Sequence, residues 1–247
     1  MTTSEVWTAQ DADEYDERYA DQYTPEVLGP SLDRLKALAD GGRVLELAIG
    51  TGRIGVGLHE RGLDVVGIEL SAPMATKVHE KIPAEQLPVV VGDMASATAP
   101  GVGEFALVVL AFNTLSNLCT QDEQVECFRN AARHLRPSGR FVIELWVPPI
   151  HRMTPGTPVV PMAYDDDGIS FDTYDLATQA CTSQSYRTRA DGSVRHGTGR
   201  FRYAWPAECD LMARLGGMTL EHRWADWSGD PFTSTSESHV SVYRKDS

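Results

Sequence analysis

Apolar residues recur along this chain with two alternating periods, and the alternation predicts its elements. Val27, Leu28, Leu32, Leu35 and Leu38 follow helical spacing and predict a helix over 26–40 that stops at Gly41-Gly42. A short apolar strand over 43–48 breaks into Gly50-Thr51-Gly52, a helix over 54–61 closes at Gly62, and a second strand covers 63–70. Helix 72–81 and strand 88–91 follow, and the almost continuous apolar run 106–111 reads as a strand buried on both faces. A helix over 121–135 is expected to stop at Pro137-Ser138-Gly139, with a fifth strand over 140–147. Five strands alternating with helices imply a parallel, doubly wound α/β sheet.

The pattern then changes. Segments 159–164, 169–176, 180–188 and 194–203 carry β-formers separated by polar turns, with Asp167-Gly168 and Asp191-Gly192 at two bends, and predict antiparallel hairpins. A helix over 206–215 and strands over 218–227 and 240–244 close the chain, the last strand antiparallel. The expected organisation is one domain over 1–247 with a β-rich insertion at 150–204, serving as a substrate lid or a dimer surface.

Composition narrows the functions. The chain has 247 residues, 42% of them hydrophobic and 23% charged, which fits a folded globular domain. Its formal net charge of -13 argues against nucleic-acid or membrane-surface partners. The four cysteines, Cys119, Cys127, Cys181 and Cys209, have no CxxC spacing, so no metal is expected and the thiols read as reduced. The acidic N-terminus lacks the pattern of a signal peptide, and no apolar run is long enough for a membrane helix, so the expected location is cytoplasmic.

The candidate chemistry gathers at the strand ends. Glu46-Leu47-Ala48-Ile49-Gly50-Thr51-Gly52 puts small residues where the first strand turns into a helix, so a ligand can approach the backbone at the carboxyl edge of the sheet. Gly50, Gly52 and Gly55 also satisfy GxGxxG, and Glu69 ends the second strand near the spacing at which NAD enzymes hold a ribose. Three features favour a sulfonium cofactor over a dinucleotide. Glu46 precedes the loop, where its carboxylate complements a cation but would repel a pyrophosphate. Asp93, in Gly92-Asp93-Met94 after the third strand, can accept from an adenine amino group. The chain also lacks a second mononucleotide-binding half.

ELAIGTG, the acid in GIELS, GDM and the LAFNTL strand end resemble the class I S-adenosylmethionine-dependent methyltransferases over about 15–147 and the final strand pair. The Tyr15-Asp16-Glu17-Arg18-Tyr19 opening, GDM and the late β-rich insertion resemble the small-molecule branch that includes aminosugar N-methyltransferases and related natural-product enzymes. The resemblance implies a Rossmann-like fold using S-adenosyl-L-methionine. It would place Ala48, Gly50 and Gly52 along the methionine moiety, Glu69 on the ribose hydroxyls, and Leu70 and Met74 on the adenine. Asp93 and Met94 would read the adenine edge, the Ala111 carbonyl would accept from the amino group, and Tyr15 would cover the cofactor.

The expected reaction is in-line methyl transfer to nitrogen or oxygen of a small molecule in a water-poor pocket. An NAD(P)-dependent oxidoreductase and a non-catalytic cofactor-binding protein stand as alternatives. Acceptor-facing candidates are Phe112, Asn113, Asn117, Trp146 and His151, with Arg202 and Tyr203 on the last insertion strand. Alternation along that strand sets Arg200 and Arg202 against Phe201 and Tyr203, so only one pair can face the pocket. His239, opening the last strand at the ligand-binding edge, is the candidate general base.

Overall fold

The computed structural model describes residues 6–153, 156–157, 159–166, 168–189 and 191–247. The bend residue Asp167 and the side chain of His151 lie outside the described part.

The chain opens with α1 (Ala9–Arg18), capped by a reciprocal pair in which Thr8 and Asp11 each satisfy the other's backbone N–H. α2 (Pro25–Ala39) starts with proline in its first turn and ends at Asp40 in the left-handed region, ahead of Gly41. β1 (Val44–Leu47), α3 (Arg53–Glu60), β2 (Val65–Glu69), α4 (Ala72–Lys81), β3 (Val89–Val91) and β4 (Phe105–Leu110) follow in the predicted order. α5 (Gln121–His134) then leads into β5 (Leu135–Trp146).

β1 to β5 lie parallel in the order β3-β2-β1-β4-β5, and the closing strands β10 (Met218–Trp224) and β11 (Ser238–Lys245) extend the sheet to seven strands. β11 runs antiparallel to β5 on one side and to β10 on the other. Every residue of β1, β2 and β4 is buried, because helices cover both faces. One core joins Leu45, Val66, Phe105 and Phe141 to Phe128 of α5 and Met212 of α6 (Pro206–Leu215). The other joins Val44, Val65 and Leu107 to Leu35 of α2 and Leu58 of α3.

The Pro137-Ser138-Gly139 stop is corrected to an irregular start of β5. Leu135 already pairs with Phe105, and the register shifts before Leu107 meets Arg140. The extra residues are absorbed as a bulge with Ser138 at φ 60°.

β6 (Val159–Asp165), β7 (Gly168–Asp175), β8 (Ala180–Thr188) and β9 (Val194–Arg202) form a separate four-stranded antiparallel meander. A buried polar junction ties it to the helical layer. Arg202 donates to Glu208 of α6 at 2.7 Å, to Gln124 of α5 at 2.6 Å and to Gln179 at 3.1 Å. Among the described residues no helix is long and apolar enough to cross a membrane.

Candidate functional site

The order of the parallel strands reverses at β1, which has β2 on one side and β4 on the other, so the loops leaving β1 and β4 diverge and open a crevice at their carboxyl ends. The β1 loop enters it through backbone that few residues adopt. Ala48 has φ 52° and Gly50 φ 61°, and a Cβ added at Gly50 would meet nothing within 4 Å, so the glycine faces open space. Ile49 turns the other way. It is buried, and its side chain lies against Gly55 and Gly67, where an added Cβ would fall within 3 Å of it.

Glu69 ends β2 at the edge of this crevice. One carboxylate oxygen accepts the Gly50 N–H and the other the Ser71 N–H, both at 2.8 Å. Burial raises its pKa, an effect opposed by the backbone donors from Ser71 and Gly50. Each oxygen keeps a second lone pair for a hydroxyl on a ligand. Asp93, after β3, spends one oxygen on the Ala95 N–H at 2.6 Å.

These groups border a cavity of about 220 Å³, lined by Ala48, Gly50, Glu69, Leu70, Met74, Asp93 and Met94 along the strand ends. Phe112, Asn113, Asn117 and Trp146 line its other side. Tyr15 covers it from α1, together with Trp7 and Tyr19. Edge-on or tilted ring contacts link Trp7 to Tyr15 (5.4 Å), Tyr15 to Tyr19 (4.8 Å) and Tyr19 to Phe112 (5.7 Å). Burial pushes the Tyr15 phenol up to about 12, with neighbouring Tyr19 contributing, so the ring is neutral. Asp16 fastens α1 to the glycine loop by accepting from Thr51 and Tyr23 and pairing with Lys81 at 2.6 Å. Burial alone would raise the Asp16 pKa, but Lys81 and the two hydroxyls outweigh it and hold it below the ordinary value.

A larger cavity of about 440 Å³ adjoins the first and shares Asn113, Ser116, Trp146 and Phe201 with it. One face of the insertion meander supplies much of its wall, including Tyr203, Tyr174, Asp172 and Met162. The alternation left open on the last insertion strand is thereby resolved. Phe201 and Tyr203 face this cavity, while Arg202 turns inward to Glu208 and is a docking residue, contrary to the expectation that it faces an acceptor.

Four other expectations fall elsewhere. His239 is a correction, since it is fully buried, donates to or accepts from Ser241 at 2.8 Å and lines neither cavity. Burial, with Arg223 nearby, depresses its pKa to about 3, so it stays neutral and out of reach of a ligand. Its strand begins at the right edge, but this side chain points into the layer beside Phe232. Glu46 lies beneath the loop, with no wall of the cavity to its name. One of its oxygens is buried without a partner, and burial raises its pKa to about 8 against the opposing pull of Arg53. Gly52 serves as N-cap of α3 at φ 93°, and the Ala111 carbonyl is occupied by the Thr114 hydroxyl at 2.7 Å; neither lines the cavity.

Sequence reasoning missed Trp7, Ser116, Asp172, Tyr174 and Glu144. Glu144 accepts the Phe112 N–H at 2.7 Å and the Trp227 indole N–H at 2.6 Å. It thereby holds Phe112 and Asn113, both at φ 56°, in a left-handed pair that carries them to the junction of the two cavities. Its signal was the lone acid in the apolar run of β5, the same signal that marks Glu46 in β1 and Glu69 in β2.

Known proteins are similar to this chain in sequence and architecture. Residues 44–139 match the family described as Methyltransferase domain. YqeM of Bacillus subtilis (strain 168), named as a methyltransferase, is 34% identical over 111 residues, a match spanning 44% of that protein and 44% of this chain. The cypemycin N-terminal methyltransferase of a Streptomyces species is 26% identical across 83% of this chain and 84% of its own. The structure of the CcbJ methyltransferase from Streptomyces caelestis superposes with a TM-score of 0.85 at 33% identity, covering 100% of this chain and 99% of that one. With a relative so similar over its whole length and a carboxyl-edge crevice built as described, this chain belongs to the S-adenosylmethionine-dependent methyltransferases.

Proposed function

We propose that this protein binds S-adenosyl-L-methionine in the smaller cavity and methylates a nitrogen of a compact small molecule held in the larger one. The observation that carries the reading is the meeting of the two cavities at Asn113, Ser116, Trp146 and Phe201. The residues of the smaller cavity fit the cofactor. Glu69 has lone pairs to spare for two neighbouring hydroxyls, Leu70 and Met74 offer apolar contact for a flat ring, and Asp93 keeps one oxygen for an amino group. The Glu69 carboxylate at the cavity edge supplies negative charge beside the loop, which suits a cation.

When bound, the cofactor would supply a methyl group activated by a cationic sulfur, open to in-line displacement by an acceptor lone pair. Trp7, Tyr15 and Tyr19 would shield the smaller cavity from water, while Asn113 and Trp146, shared by both cavities, would border the passage between them. Phe112 and Asn113 are kept in place by Glu144.

Nitrogen is favoured over oxygen by the chemistry of the walls. Among the described residues no histidine lines either cavity, and the phenols of Tyr15, Tyr174 and Tyr203 are all pushed up by burial. A hydroxyl would lack the histidine or ionised phenol that could take its proton at the junction, whereas an amine needs only its own neutral fraction. The relatives' names agree in part, since the cypemycin enzyme is named for an N-terminal target.

Incubation with methyl-labelled cofactor and panels of compact amines, phenols and sugars tests this. Label is expected in an amine. Label in phenols alone would overturn the nitrogen assignment, and no calorimetric binding of S-adenosylhomocysteine would overturn the whole reading.

A further inference from the structure

The larger cavity contains a carboxylate, Asp172, that forms no ion pair among the described residues. Register places Asp172 opposite Ser183, Tyr174 opposite Cys181, and Cys181 opposite Phe201, so these side chains share one face of the insertion meander. That face borders the cavity. Asp172 is only 9% exposed. Its Oδ2 accepts from the Tyr174 hydroxyl at 3.1 Å, while Oδ1 is buried with no hydrogen-bond partner.

Among the described residues no cation lies within ion-pair distance of Asp172. Arg152, which also lines this cavity, donates to the Pro161 carbonyl at 2.6 Å, and the remaining charged wall group, Glu237, has the wrong sign. The thiol of Cys181, pushed up to about 12 by burial and by the charge on Asp172 and its hydrogen bond to it, stays protonated, so it is at most a weak neutral donor to that carboxylate and leaves the charge uncompensated. The cavity that this carboxylate borders is otherwise walled in large part by apolar and aromatic side chains, among them Met162, Pro148, Phe201 and Tyr203.

A buried charge in such surroundings is costly unless something pairs with it, and here the open oxygen belongs to a cavity wall. A neutral hydroxyl could satisfy the lone pair but would leave the charge uncompensated; an ammonium does both. Asp172 lines the larger cavity and not the smaller one, so the group it holds is separate from the atom that meets the methyl carbon.

We propose that Asp172 anchors an ammonium on the acceptor, at the end remote from the accepting atom, so that the preferred acceptor is a compact molecule with a nucleophile at one pole and a basic amine at the other. The Tyr174 hydroxyl fixes the carboxylate and leaves Oδ1 for the ligand. This assignment rests on the reading of the larger cavity as the acceptor site.

The test uses the full chain with S-adenosylhomocysteine bound and three matched probe pairs: tyramine and tyrosol, 4-(aminomethyl)piperidine and 4-(hydroxymethyl)piperidine, glucosamine and glucose. In at least one pair the amine is expected to bind the unmodified protein about 10-fold more tightly than its hydroxyl counterpart. Asp172→Asn, which keeps the shape and the Tyr174 contact, is expected to abolish that preference and leave S-adenosylhomocysteine affinity unchanged. Ser183→Lys, which sets an ammonium opposite Asp172, should do the same and serves if the first variant fails to fold. The proposal is overturned if no pair shows the preference in the unmodified protein, or if a folded variant retains it. Failure of S-adenosylhomocysteine to bind at all would instead strike the broader reading, leaving the two failures distinct.

Discussion

The two walls of the site are held by different means. Along the carboxyl edge of the seven-stranded sheet, backbone groups fix the polar side chains, with Gly50 and Ser71 on Glu69 and Ala95 on Asp93. Across the junction, the insertion presents its polar groups from a meander whose own neighbours satisfy them only in part, leaving an oxygen of Asp172 open. The first wall is suited to one fixed ligand, and its geometry is dictated by strand ends and turns. The second is a surface on which side chains can vary without disturbing the sheet beneath.

If the walls are independent, the insertion can be loosened without harming the cofactor edge. Arg202→Ala removes the cation from Glu208, a pair with side chains only 6% and 14% exposed, and leaves that carboxylate the Gln121 and Gln179 amides alone. A loss of about 3 kcal/mol is expected in denaturant unfolding, since the buried carboxylate keeps hydrogen bonds but loses its counter-charge. S-adenosylhomocysteine affinity should be kept below the transition. A loss under about 1 kcal/mol would mean that something other than this junction docks the meander.

Glu46 sharpens the contrast from the other side. Burial raises its pKa to about 8 in the folded protein, while the unfolded chain ionises near the ordinary value of 4.5. Between those values the unfolded state binds fewer protons, so stability falls as pH rises. Glu46→Gln should remove that slope, leaving stability similar at pH 5 and higher by about 4 kcal/mol at pH 9 in denaturant titrations. Parallel profiles for variant and parent would deny that Glu46 is buried beneath the loop.

The smallest effect is expected at the cover. Asp16→Asn weakens the tie among Lys81, Thr51 and Tyr23 that holds α1 over the glycine loop. S-adenosylhomocysteine should bind several-fold more weakly, about 1 kcal/mol, with little change in folding stability. Equal affinity would show that the N-terminal cover does not touch the cofactor.

The same division explains what the amino-acid order revealed. The carboxyl edge was legible because runs such as VLEL, VVGIE and FALVVL can only be central strands, and whatever follows a central parallel strand emerges at one edge. Glu69, Gly50 and Asp93 were therefore placed at the cavity by counting residues. The insertion was legible only as hairpins. Period-two alternation separates Phe201 and Tyr203 from Arg202, yet which set faces the core depends on how the meander docks, and that is decided by Gln124 and Glu208, distant in the chain. His239 failed for the same reason, with the strand end right and the face wrong. The cover was read through Tyr15 alone; no helix was assigned to it and Trp7 was missed, because α1 is polar on most of its surface and Ala12 is its one buried residue.

The account stands or falls on Glu69, and calorimetric titration of S-adenosylhomocysteine into the unmodified protein and into Glu69→Ala tests it most directly. With the fold verified by circular dichroism, the substitution is predicted to weaken binding by about 100-fold or more, roughly 2.7 kcal/mol. Unchanged affinity in a folded variant would contradict the assignment of the smaller cavity to the cofactor.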